Sequence, residues 1–99
     1  MKADDRIERA RRLYERAVFG GDGNAIAAGE RELDAVEANL ALARGRLLHA
    51  RFLNTRREDP RELSLFEHAA EMYRRLGDVR GEAEALFWIG CFHQVVRDD

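Results

Sequence analysis

Few side chains in this chain stand where they could do chemistry. Cys91 and His93 come nearest to a metal site. On a helix, residues two apart point about 200° apart, so one ion cannot bind both; a packed cysteine and a half-buried histidine are expected instead. His49 and His68 are expected at the surface. The only serine, Ser64, has no base beside it. Gly20-Gly21-Asp22-Gly23 lacks the Lys-Ser/Thr that lets a glycine-rich loop hold a phosphate. No Glu-x-x-His occurs, so the di-iron signature of helix bundles is missing. No catalysis, metal or cofactor is expected.

Arginine offers the other candidate chemistry. Of 17 basic residues only Lys2 is lysine. Arg11-Arg12, Arg56-Arg57 and Arg74-Arg75 are placed to touch phosphates, but acids flank them: Glu8 and Glu15, Glu58 and Asp59, Glu71 and Asp78. The formal net charge is −2, and no aromatic ladder stands ready to stack bases. A solvated, charge-balanced face is expected. A nucleic-acid-associated regulator that uses its arginines is therefore the alternative function, not the first.

The elements that must position these residues are helical. Ninety-nine residues with 45% apolar and 36% charged content suit one soluble helical domain. Pro60 is the only proline, so long helices are possible, and Cys91 is the only cysteine, which fits a reducing cytoplasm. The start, Met1-Lys2-Ala3-Asp4-Asp5, has no apolar run and is not expected to be a signal peptide. The longest apolar run, Ala85 to Phe92, falls far short of the roughly 20 residues that cross a bilayer.

Ile7, Ala10, Tyr14 and Ala17 recur at helical spacing, with Leu13 and Val18 beside them, until the Gly20–Gly23 break. Asn24 is expected to cap the next helix. Ile26, Leu33, Val36, Leu40, Ala43, Leu47 and Ala50 then form one seam, with Gly29 in its gap, up to about Arg57. That predicts one long helix, or two broken near Gly29. Asp59, Pro60 and Glu62 read as an N-cap, a first helical position and a capping box. The third helix should bury Leu63, Phe66, Ala70 and Tyr73 and stop at Gly77. Asp78 should cap a fourth helix reaching about Arg97. The fold class is all-α, four helices in antiparallel hairpins, one of them long.

The last stretch, with Leu76-Gly77-Asp78, Gly81-Glu82-Ala83, Leu86, Ile89, Gly90 and His93, resembles a tetratricopeptide repeat in the form found in bacterial regulators. Phe66 and Ala69 match the aromatic and small residues of the family's second helix, whereas Glu62 stands where a small residue is usual. The resemblance spans about residues 60–99. Gly45 is a possible equivalent of Gly90 in an earlier repeat, but the gap of 45 residues exceeds the usual period of about 34. The implied organisation is one domain: an N-terminal helical extension in 1–36, a divergent helix pair in 37–78, and the first helix of an incomplete repeat in 79–99. The resemblance implies a non-catalytic protein–protein interaction scaffold, possibly part of a longer regulator. It also implies that Gly90 lets two helices touch. The groove positions would be Glu84, Phe87, Cys91, Gln94 and Val95. Phe87 and Cys91 replace the basic and amide residues that clamp carboxylates in some members, so an apolar protein or peptide partner is expected.

The fourth helix is apolar almost all round, and such helices are normally buried all round. Cover is expected either from residues beyond Asp99 or from a second copy. For the isolated chain a homodimer through this helix is predicted. Trp88 or Phe92 should lie in the interface, with Leu86, Phe87, Ile89, Cys91, His93, Gln94 and Val95 around them.

Overall fold

The computed structural model describes residues 2–98. Among them are four α-helices and no strand: α1 (Ala3–Phe19), α2 (Asn24–Thr55), α3 (Arg61–Leu76) and α4 (Val79–Cys91), the last continued by a π-helical turn, Phe92–Val96. The all-α class is therefore shown. None of the helices is long and apolar enough to cross a membrane. The chain divides into two compact units, with the boundary between Glu37 and Ala38.

In the first unit, Asp4 and Asp5 place negative charge in the opening turn of α1, where the helix dipole favours it. Gly21, at φ +70°, takes a backbone conformation that suits glycine and helps turn the chain after α1. Asp22, not Asn24, prepares the start of α2: its Oδ1 accepts from the Asn24 N–H at 3.1 Å. Arg6 and Arg9 reach Glu32 at 3.0 and 3.3 Å. Gly29 is buried with Leu13 and Ala10 close by. No residue of α1 is fully buried. Of the residues read at helical spacing, Ala10 and Ala17 are half-buried, with Leu13 beside them, while Ile7 and Tyr14, and Val18 beside them, are exposed, because two helices alone cannot enclose a stripe this wide. Tyr14, Val18, Ile26 and Leu33 instead line an open apolar groove of about 420 Å³.

The second unit holds the core. α2 buries Ala38, Ala41, Leu42, Gly45, Leu48, His49 and Phe52, a helical stripe that is not the seam predicted above. Leu40 and Leu47 of that seam face outward at 55% and 72% exposure. The chosen face carries the small residues. Ala38, Ala41 and Leu42 form one buried cluster with Phe66, Ala69, Met72 and Tyr73 of α3 and Ala85 of α4, and the Phe66 ring lies directly over Gly45. α2 ends at Thr55 because Arg56 turns left-handed, at φ 58°.

Asp59 does cap α3. Its Oδ1 accepts the Arg61 N–H at 2.9 Å, and the Arg61 guanidinium closes on the other oxygen at 2.8 Å. The hydrogen bonds from Arg61, side chain first and backbone second, hold the Asp59 carboxyl down at about 2. A depressed folded pKa stabilises above the unfolded value, near 3.8, and the benefit goes as pH falls through the folded one. Asp59→Ala should therefore lower the denaturation midpoint at neutral pH, and the difference should shrink between about pH 4 and pH 2; a gap that persisted at pH 2 would contradict it. Gly77, at φ +72°, ends α3 with its N–H on Tyr73 and Arg74 carbonyls. Asp78 caps α4 through the Gly81 N–H at 2.9 Å.

Candidate functional site

α4 is held against the second unit from both ends. Near its start, a Cβ on Gly81 would stand 2.5 Å from the Tyr73 ring, so only glycine lets α4 and α3 meet there. The Tyr73 hydroxyl donates to Asn39 Oδ1 at 2.6 Å. Burial, then the fields of Glu84 and Asp78, raise that phenol above its ordinary value and keep it a donor. Arg46 ties α2 to α4 through Glu84 at 3.2 Å. Past the end of α4, Arg97 pairs with Glu58 at 2.6 Å and lies over the Phe92 ring.

Beneath α4 lies a pair of groups that sequence reasoning placed wrongly. His49 was expected at the surface and Glu62 in a capping box. Instead both are buried, at 8% and 0% exposure, with His49 Nδ1 and Glu62 Oε2 hydrogen-bonded to each other at 2.8 Å. Glu62 Oε1 has no hydrogen-bond partner among the described residues. Trp88 meets the imidazole edge-on at 5.6 Å and stacks on Phe66 at 5.8 Å. Two signals were available in the sequence. Glu62 stands where the resemblance leads one to expect a small residue, and His49 lies one helical turn after Gly45. Through Trp88, which touches both His49 and Phe66, this hydrogen-bonded pair is packed against α4.

The predicted interface residues separate into two sets. Phe92 is buried, and Trp88, Ile89, Cys91 and His93 are half-buried, so much of the apolar circumference is covered by the chain itself. Leu86 and Phe87 remain out at 53% and 63% exposure, with Gln94 and Val95 also exposed. Ala83, Leu86, Phe87 and Gly90 fall on one outward stripe at helical spacing. No helix of this chain makes the close contact expected at Gly90: a Cβ there would meet nothing within 4 Å. The close contact belongs to Gly45, where a Cβ would stand 2.6 Å from the Phe66 ring. Gly90→Ala should then stabilise by about 0.5–1 kcal/mol through helix propensity, and Gly45→Ala should destabilise by about 1–3 kcal/mol through overpacking. Urea denaturation checks both, and equal signs would contradict this assignment.

In two of the candidate arginine pairs, one arginine is held by acids. Arg11 bonds Glu8 and Glu15, and Arg74 bonds Glu71, whose carboxyl it holds below the ordinary range. Among the described residues no group of three or more His, Cys, Asp or Glu is placed to hold a metal ion. The comparisons with known proteins add no relative: no family model, curated protein or solved structure matches this chain.

Proposed function

We propose that the chain is a non-catalytic protein-interaction module of tetratricopeptide-like helical hairpins. The outward stripe of α4 receives an amphipathic helix of a partner protein. The observation that carries this reading is the pairing of exposed Leu86 and Phe87 with open space at Gly90. Large apolar side chains beside a bare backbone let another helix approach closely, and exposed apolar patches mark such surfaces. The contact of Gly45 with Phe66 and the glycine stop at Gly77 support the repeat-like design. A nucleic-acid partner is the weaker reading, since Arg11, Arg61 and Arg74 are each engaged by a carboxylate.

The test replaces Phe87 by a photo-crosslinking phenylalanine in the source cells, with exposed Glu67 of α3 as the control position. A discrete adduct to another protein is expected from position 87 and not from 67. Gly90→Leu should abolish it without lowering the denaturation midpoint. No adduct at 87, or one indifferent to Gly90→Leu, would sink the reading.

A further inference from the structure

The apolar seam of α2 has a specific period. Ile26, Leu33, Leu40 and Leu47 of α2 recur every seven residues, the spacing of position a in a coiled coil. Position d holds Gly29, Val36, Ala43 and Ala50, all small or β-branched. In the first unit Ile26 and Leu33 are exposed; in the second, Leu40, Ala43, Leu47 and Ala50 are. Four sustained heptads call for a partner helix of the same period, and the exposed a positions show that the chain's own helices do not supply it.

The flanking charges say which helix fits. Position e reads Glu30, Glu37, Arg44, Arg51: acidic in the first unit, basic in the second. Position g carries Glu32 and Arg46, and both are already engaged, Glu32 by Arg6 and Arg9 and Arg46 by Glu84. None of the four e residues makes a salt bridge among the described residues; Arg51 acts on Asp59 only through a weak field. Side by side and parallel, two copies would set Glu32 against Glu37 and Arg46 against Arg51, like against like. Antiparallel, e faces e: Glu30 meets Arg51 and Glu37 meets Arg44, each pair occurring twice.

We propose that α2 self-associates. Its basic stretch in the second unit, with Leu40, Ala43, Leu47 and Ala50, takes the acidic stretch of α2 from a second copy running antiparallel. The pairing is reciprocal, as a two-fold dimer requires. The small d residues let the two helices come close, and Gly29, covered by Leu13 and Ala10 of α1, is approached from its a and e side.

Charge exchange tests this on the full chain, by sedimentation equilibrium. The native chain should be a dimer. Glu30→Arg/Glu37→Arg and Arg44→Glu/Arg51→Glu should each weaken it about tenfold or more, and an equimolar mixture of the two should restore it. Leu47→Glu, at an exposed position, should give a helical monomer by circular dichroism, which separates lost pairing from lost folding. A monomeric native chain would overturn the proposal. So would a dimer indifferent to both double variants, which would place self-association elsewhere, for instance on α4. Failure of the mixture to recover would overturn the antiparallel arrangement.

Discussion

His49→Leu is expected to destabilise the second unit by about 3–5 kcal/mol, the cost of stranding one partner of a buried pair. Glu62 is fully enclosed, one of its oxygens bonds only His49, and the other has no partner among the described residues. Without the imidazole, a carboxylate would sit in an apolar site with nothing to compensate it. That cost rivals the whole stability of a chain this size, about 5–10 kcal/mol. Replacing both residues, His49→Leu with Glu62→Leu, should recover most of the loss, because an apolar pair of similar volume is often as stable as the buried polar pair it replaces. Trp88, the only tryptophan, touches His49 edge-on and so reports both transitions by fluorescence. A single variant within about 1 kcal/mol of the native chain would mean that Glu62 reaches water, contrary to its burial.

Phe66→Ala should cost a similar amount, about 3–5 kcal/mol. The ring is completely buried, stacks on Trp88 and fills the space over Gly45. Glycine has no side chain with which to refill that space, and Ala69 and Ala85 nearby are also too short. The cavity should therefore persist. This predicts a sign change: Gly45→Ala, destabilising in the native chain, should become neutral or stabilising once Phe66 is alanine. A double-mutant cycle measures that coupling, and simple additivity would show that the two residues do not share the space.

Local chemistry was the most legible part of the sequence. Glycines at 20–23 and 77, the caps at Asp59 and Asp78, and the length of α2 follow from backbone rules that act within a few residues. The choice of face was not legible. Leu40 and Leu47 make the stronger periodic pattern, yet Ala38, Ala41 and Gly45 are inside, because close backbone approach and a large ring across it outweigh the apolar area of one helix read alone. The same choice sent His49 inward and turned Glu62 from a capping role to a core one. On α4, the apolar run was visible, but not that Phe66 and Phe92 would leave Leu86 and Phe87 as its outward remainder.

The π-helical turn at Phe92–Val96 amounts to a stored insertion. Its hydrogen bond runs from the Arg97 N–H to the Phe92 carbonyl, five residues apart, at 3.2 Å, one residue more than an α-helical turn encloses. A homologue lacking one residue between Phe92 and Arg97 would close an ordinary turn there. Its equivalent of Arg97 would still lie one turn beyond Phe92, within reach of Glu58 and over the Phe92 ring, because the wider turn absorbs the extra residue. Sequences of this lineage should therefore be able to vary by one residue in length at that turn while keeping the acid at position 58, so that a gap in one alignment column leaves the other unchanged.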